Sequence, residues 1–196
     1  SLHDLDSDDR NGGYANWAAD YARWFGQLVL DSINGRDGMP QRLDIGVMNV
    51  GGIRQNMPKG DVTEGQILAT FPFANHMVIT AVKGADIMDA LKVAAKKGGE
   101  GISGNVRVVV DKDHNLKRVV VDGREMDPEK TYTVATIDYV AAGNDDLAGF
   151  GRGKLLWRDN AEMAVPMMRY INHLTGLGLP IAPDMTGRFQ EEITIP

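Results

Sequence analysis

The stretch 49–54 combines residue types that can hold a small polar ligand. Its sequence is Asn-Val-Gly-Gly-Ile-Arg, and it follows an apolar run at 43–48 that predicts a strand. Glycines at the end of a strand let the backbone turn sharply and approach another group closely. Asparagine donates and accepts hydrogen bonds, and the arginine guanidinium is a rigid cationic fork suited to an anion. We therefore expect Asn49, Gly52 and Arg54 to contact a ligand.

Two further loops carry aromatic and polar side chains outside the predicted strands. The loop FPFANH contains Phe71, Phe73 and Asn75, and the segment DYVAAGNDD leaves a predicted strand through Tyr139 and continues to Asp145. Considered singly, each of the three loops is explained better by core packing and turn formation than by ligand binding.

Considered together, the three loops predict a nucleotide ligand. Two aromatic rings can sandwich a flat heterocycle, and Asn75 can hydrogen-bond its edge. Asp145 can accept hydrogen bonds from sugar hydroxyls, and Arg54 can pair with a phosphate.

Other common reaction centres find no support in the sequence. There are no cysteines, which excludes thiolate metal sites and cysteine nucleophiles. The histidines are too scattered to predict a metal site; they are His3, His76, His114 and His173. The segment GFGRGKLL resembles a phosphate loop, but Leu155 replaces the required hydroxyl residue, and no G-x-S-x-G elbow occurs.

Composition limits the class of partner. The formal net charge is −6 and the isoelectric point is about 5.2, which argues against a polymeric nucleic acid or an anionic membrane. No apolar run approaches the roughly 18 residues of a membrane span. Residues 1–13 are acidic and Gly-rich and predict a flexible lead-in or linker, so that one domain is expected over 14–196.

The predicted elements must bring these loops together. Helical periodicity covers 17–33 and ends at NGRDGMP (34–40), and a short helix is expected from an N-cap at Thr63 to about Thr70. Further predicted elements are a strand at 76–84, a helix at 85–99, two strands within 105–123, a strand at 131–140, a helix at 160–174 with a kink at Pro166, and an extended piece at 186–196. Strands and helices mix without a regular alternation, which favours an α+β fold: one mixed β-sheet with flanking helices.

Several of these motifs, in this order, resemble the C-terminal domain of 5′-nucleotidases, a family that includes the bacterial periplasmic UDP-sugar hydrolases. The matching motifs are N-x-G-G-I-R, P-F-x-N, KGADIMDAL, D-P-x-K-T-Y-x-V-A-T and an aromatic residue before G-x-D, and WFGQLVLDSI is similar to the family's first helix. The resemblance covers about residues 17–190.

The resemblance assigns roles to the candidate residues. It implies that Phe73 and Tyr139 stack on the base, that Asn75 contacts the base and that Asp145 binds the ribose. It also implies that the corner carrying Asn49 and Arg54 meets the ribose and phosphate. Three departures stand out: Tyr139 replaces a common phenylalanine, and Asn144 and Asp146 replace two glycines of G-G-D-G. At Arg23, where some members carry a phosphate-binding arginine, the alignment leaves the role open.

The resemblance also implies a division of labour. In this family a separate N-terminal domain holds two divalent metals and the catalytic His–Asp pair, and its D-x-H and G-N-H-[DE] motifs do not occur here. We therefore expect a nucleotide-binding domain that is inactive alone, that holds no cofactor and that works with a metallophosphatase domain in the periplasm or outside the cell. The alternatives are a stand-alone nucleotide- or nucleoside-binding module and a structural remnant that no longer binds.

Overall fold

The computed structural model describes residues 1–33 and 38–192. Within these ranges the helices are α1 (Gly13–Ser32), α2 (Glu64–Thr70), α3 (Gly84–Lys96), α4 (Asp138–Ala141) and α5 (Ala164–Gly176). The strands are β1 (Ile45–Met48), β2 (His76–Lys83), β3 (Gly101–Ile102), β4 (Val106–Val110), β5 (Leu116–Val121), β6 (Arg124–Glu125), β7 (Thr131–Ile137), β8 (Lys154–Glu162) and β9 (Phe189–Glu191). Short 3-10 turns occupy Val50–Gly52 and Phe150–Arg152.

The larger sheet positions the candidate site. Its strand order is β3-β1-β7-β2-β8. β1 runs parallel to β7, and the other neighbouring pairs are antiparallel. All four residues of β1 are buried, which explains its continuous apolar sequence. α1 lies directly on this strand, because a Cβ at Gly46 would come within 2.1 Å of the Ala19 carbonyl oxygen.

A second sheet has the order β6-β5-β4-β9, with β4 and β9 parallel. Its β4–β5 hairpin is the predicted strand pair, and β4 alternates buried and partly exposed residues as a sheet with one covered face requires. The α+β prediction with flanking helices is thus confirmed, but the strands form two mixed sheets and not one.

The helices follow their local sequence signals, except that α5 begins later than predicted and has no cause for a kink. Thr63 caps α2 as predicted, since its hydroxyl accepts from the Gln66 amide at 3.2 Å while the Gln66 side chain accepts from the Thr63 amide at 2.7 Å. α5 begins at Ala164, so Pro166 lies in its first turn. An N–H in the first turn has no carbonyl partner within the helix, so a proline there removes no hydrogen bond. The kink predicted at Pro166 therefore has no physical cause.

Two predicted segments have a different structure. The strand expected at 131–140 ends at Ile137, and Tyr139 lies on the short helix α4. No strand was predicted at 154–159, and a helix was predicted from residue 160, but residues 154–162 form the edge strand β8. Most of the predicted helix break (34–37) and the end of the last extended piece (193–196) lie outside the described residues.

The acidic segment 1–12 packs against the domain, which differs from the flexible lead-in that its composition predicts. Leu5 is only 1% exposed, and its backbone exchanges hydrogen bonds of 2.8 and 2.9 Å with Met57. One buried leucine and a β-bridge anchor the segment, while its aspartates remain in solvent. The domain division at residue 13 stays a prediction. No helix in the described ranges combines the length and the apolar character that crossing a bilayer requires.

Candidate functional site

The topology of the larger sheet brings the three predicted loops to the same end of its strands. β1 and β7 are neighbours and parallel, so their C-terminal ends meet there. β2 is antiparallel to β7, so the N-terminal end of β2 lies beside the C-terminal end of β7. The loops that follow β1 and β7, and the loop that precedes β2, surround a pocket of about 290 Å³. Its lining residues are Asn49, Gly51, Gly52, Arg54, Phe73, Asn75, Tyr139 and Asp145.

The pocket therefore contains every residue predicted as a substrate contact, together with Gly51. Gly51 was not predicted as a contact, although the same argument of close backbone approach applies to both glycines. A Cβ at Gly51 would lie 3.1 Å from an Asp145 carboxylate oxygen, and one at Gly52 would lie 2.9 Å from Asn49 Oδ1. Both positions are thus restricted by space.

A hydrogen-bonded chain of three side chains joins two walls of the pocket, the turn that follows Asn49 and the loop that carries Asp145. Asn49 is buried and donates from Nδ2 to Asp145 Oδ2 at 2.6 Å. Tyr139 donates its hydroxyl to Asp145 Oδ1 at 3.1 Å, and this bond to a carboxylate raises the pKa of Tyr139. Each carboxylate oxygen has more than one acceptor site. Asp145 can therefore still accept hydrogen bonds from a ligand.

The two aromatic rings of the pocket are exposed. Phe73 is 48% and Tyr139 is 41% exposed, so neither belongs to the hydrophobic core. Among the described residues, the close aromatic pairs all lie elsewhere, and each includes a residue of α1. Phe71, the other aromatic residue of its loop, is 3% exposed and packs edge-on against Tyr14. Phe71 is thus a core residue, unlike its neighbour.

Arg54 and Asn75 have side-chain groups available for a ligand. Within residues 1–33 and 38–192, Arg54 forms no ion pair, and its guanidinium contacts only the Gly51 carbonyl, at 3.4 Å. Its backbone amide donates to the Thr70 carbonyl at 2.8 Å, which fixes the chain while the side chain stays exposed. The Asn75 backbone carbonyl accepts from Met163 at 2.7 Å, and its side-chain amide has no hydrogen-bond partner in the same ranges.

Arg23 lies away from the pocket. Its Nε contacts the Asp44 carbonyl at 3.4 Å, at the start of β1. Asn49 follows the other end of this strand, roughly 16 Å away at about 3.3 Å per residue. Arg23 therefore does not reach the pocket in this structure.

The described residues offer no ligand set for a metal. In residues 1–33 and 38–192, no three His, Asp or Glu side chains form a group that could hold an ion. His76, the histidine nearest the pocket in sequence, contacts the Asp159 carbonyl through Nδ1 at 3.1 Å. The resemblance places the divalent metals in a separate domain, and that assignment stays a prediction.

A larger recess of about 670 Å³ lies between α5 and the loop at 60–62. Its walls are mainly aliphatic side chains and backbone, including Ile171, Leu174 and Leu179. Its described lining includes one carboxylate, Asp61, but no aromatic ring, side-chain amide or guanidinium group, whereas all four kinds of group converge in the smaller pocket. The chemistry therefore favours the smaller pocket as the functional site.

Comparison with known proteins gives matches in sequence and in structure. The family described as "5'-nucleotidase, C-terminal domain" matches residues 5–152. Protein UshA of Yersinia enterocolitica is 35% identical over 106 residues, which are 52% of this chain and 19% of that protein. Protein UshA of Escherichia coli is 33% identical over 124 residues, which are 61% of this chain and 22% of that protein.

The fold has relatives among solved structures. The crystal structure of a 5'-nucleotidase precursor from Thermus thermophilus superposes with a TM-score of 0.72 and 21% identity, covering 97% of this chain and 38% of that chain. The chain thus spans about a fifth of the length of the UshA relatives and less than half of the solved one. Since the family match covers well over half of the residues, the chain belongs to the 5'-nucleotidase C-terminal domain family.

Proposed function

We propose that this chain binds a nucleotide in the pocket between Phe73 and Tyr139 and presents its phosphate to a separate catalytic domain. The observation that carries the proposal is the convergence of two exposed rings, an unpaired guanidinium and a hydrogen-bonded carboxylate on one pocket. The four groups match the chemistry of a nucleotide: a flat base, a hydroxylated sugar and an anion.

The base contacts Phe73 and Tyr139 in this proposal. A ring left about half exposed loses water contact when a base stacks on it, and such stacking contributes roughly 1–3 kcal/mol per base. A base between two rings needs two gaps of about 3.5–4 Å each. The free side-chain amide of Asn75, beside this slot, supplies both a donor and an acceptor for the edge of the base.

The sugar and phosphate extend toward the Gly-Gly corner. Asp145 is held from two sides, by Asn49 and Tyr139, so it is ordered before a ribose hydroxyl reaches it. Such preordering lowers the entropy that binding costs. Arg54 lines the same pocket and forms no ion pair with any described residue, which suits a charge-assisted bond to phosphate.

Hydrolysis itself belongs to another domain in this proposal. A metal-bearing domain, in the same chain or a separate one, would supply an activated water, and this domain would hold the nucleotide in a reactive orientation. We expect no turnover of AMP by this chain alone, with or without added Mn²⁺ or Zn²⁺. The same proposal includes export to the periplasm or the cell exterior, which family membership supports.

Isothermal titration calorimetry with adenosine, AMP and UDP-glucose tests the proposal. We expect saturable binding of AMP, and tighter binding of AMP than of adenosine. Absence of heat with all three ligands at millimolar concentration would leave a structural remnant as the better description. If AMP binds but the adjoining coding sequence carries no D-x-H and G-N-H motifs, the chain is a stand-alone binding module.

A further inference from the structure

The loop that joins α3 to β3 contacts two walls of the pocket, the 49–53 turn and the 143–147 loop. This loop, Lys97–Glu100, has a positive charge at one end and a negative charge at the other. Gly98 and Gly99 between them have φ of +93° and +127°, a left-handed conformation that favours glycine. The turn therefore lets the two charged side chains leave in different directions, one toward each wall.

Lys97 holds the wall that carries Asp145. Its Nζ donates to the Asp145 carbonyl oxygen at 2.8 Å and to Asp146 Oδ2 at 2.7 Å. The pKa of Asp146 is lowered by this lysine. One ammonium group thus ties together the backbone and the side chain of two consecutive residues.

These two aspartates need such support because of their backbone. Asp145 has φ of +56° and Asp146 has φ of +62°, so two successive residues with side chains are left-handed. This conformation is less favourable for a residue with a side chain than for glycine. The family pattern has glycine where Asp146 stands, which removes that cost. Here Lys97 bonds to the backbone of the first residue and to the side chain of the second.

Glu100 holds the wall formed by the turn that follows Asn49. It is 3% exposed, and its Oε2 accepts from the Val50 amide at 2.6 Å, at the start of the turn that follows Asn49. Its Oε1 pairs with Arg10 at 2.9 Å. Burial raises the pKa of Glu100 more than the Val50 amide and Arg10 lower it, and the nearby Asp145 adds to the increase. Glu100 is thus a buried carboxylate held by two partners, the Val50 amide and Arg10.

We propose that Lys97 and Glu100 are positioning residues that fix the two polar walls of the pocket, Lys97 through the 143–147 loop and Glu100 through the 49–53 turn. The consequence for affinity rests on the proposed nucleotide-binding function. Neither residue lines the pocket or touches the ligand. They raise the fraction of molecules in which Asn49 and Asp145 are already in place, and apparent affinity is proportional to that fraction.

The Lys97→Met variant tests the first half of the proposal, because it keeps the length of the side chain and removes the ammonium group. We expect its Kd for adenosine to rise about five- to tenfold, with the melting temperature close to that of the wild type. Lys97→Arg should recover most of the affinity. Lys96→Met is the matched control: this neighbouring lysine contacts the Asp113 carbonyl, away from the pocket, and its replacement should leave adenosine binding unchanged.

Glu100→Gln and Glu100→Ala test the second half. Glutamine keeps an acceptor for the Val50 amide, whereas alanine does not. We expect adenosine affinity to follow the order wild type, Glu100→Gln, Glu100→Ala. Equal affinity for all three proteins would overturn the role of Glu100, and wild-type affinity in Lys97→Met would overturn that of Lys97.

Amide hydrogen exchange on the ligand-free protein separates this proposal from the proposed function. Lys97→Met should accelerate exchange within 143–147 and Glu100→Ala within 49–53, while the amides of β2 and β7 keep their protection. Unchanged exchange in both segments would overturn the positioning roles even if nucleotides bind. If exchange changes as expected but the wild type binds neither adenosine nor AMP, the positioning roles stand and the nucleotide-binding function fails.

Discussion

The hydroxyl of Tyr139 donates a hydrogen bond to Asp145 Oδ1 at 3.1 Å, so the ring proposed for the base and the acid proposed for the ribose are directly linked. Asp145 in turn accepts from Asn49 at 2.6 Å. The parts of the pocket proposed for the base and for the sugar thus share one set of hydrogen bonds. Ordering either part favours the ordered geometry of the other.

Removal of either ring should weaken the binding of adenosine. Stacking of roughly 1–3 kcal/mol per base corresponds to a loss of about five- to 150-fold for Phe73→Ala or Tyr139→Ala. Tyr139→Phe keeps the ring face and loses only the bond to Asp145, so its loss should be smaller than that of Tyr139→Ala. Calorimetry with the three variants measures this order. Equal losses for Tyr139→Phe and Tyr139→Ala would mean that the hydroxyl, and not the ring face, carries the contribution.

Replacement of Arg54 should distinguish a nucleotide from a nucleoside. A charge-assisted hydrogen bond contributes roughly 1.5–3 kcal/mol, so Arg54→Ala should weaken AMP binding by about ten- to 150-fold and leave adenosine binding nearly unchanged. Arg124→Ala is a suitable control, because Arg124 is exposed on the second sheet and does not line this pocket. Equal losses for AMP and adenosine would remove Arg54 from the phosphate site.

The pocket residues at 49–54 were predictable because their signals lie close together in the sequence. Asn49, the two glycines and Arg54 are adjacent in the sequence, and glycine pairs at strand ends have a direct steric meaning. The exposure of Phe73 and the burial of Phe71 were not predictable, since both flank the same proline. Their difference depends on Tyr14, which lies far away in sequence and packs against Phe71 and not against Phe73.

The residues that support the pocket carried no local signal. Lys97 and Asp145 are 48 positions apart, and Val50 and Glu100 are 50 positions apart. In sequence, Lys97 and Glu100 only mark the end of a helix followed by a glycine turn. The edge strand β8 was missed for a related reason: half-exposed on both faces, it shows neither the apolar run of a central strand nor a regular alternation.

The stability of the Glu100→Gln variant should depend on pH in a defined direction. Burial raises the pKa of Glu100 most, the Val50 amide and Arg10 lower it, and Asp145 raises it further, so the net effect is a pKa raised above its ordinary value of 4.5. The folded protein therefore holds this proton more tightly than the unfolded chain, and the wild type loses stability as pH rises from 4.5 through the raised value. Glutamine has no such proton.

Melting temperatures at pH 4 and pH 7 measure this effect. Relative to the wild type, the Glu100→Gln variant should gain stability between the two pH values. Glu125→Gln, an exposed acid on β6, serves as the control and should show little change in its difference from the wild type. If the Glu100→Gln variant instead loses stability relative to the wild type between pH 4 and pH 7, the effect of the Arg10 pair on the pKa of Glu100 outweighs the effect of burial.

The anchoring of the N-terminal segment predicts a clear difference between two leucines. Leu5 is 1% exposed and Leu2 is 47% exposed, although they are three residues apart. Leucine-to-alanine substitutions at buried sites cost about 2–5 kcal/mol, which corresponds to a decrease of roughly 4–20 °C in melting temperature for a domain of this size. We therefore expect Leu5→Ala to lower the melting temperature within this range and Leu2→Ala to change it by about 2 °C or less. Differential scanning calorimetry of both variants makes the comparison, and equal melting temperatures would mean that residues 1–12 are a flexible lead-in, as the composition alone predicts.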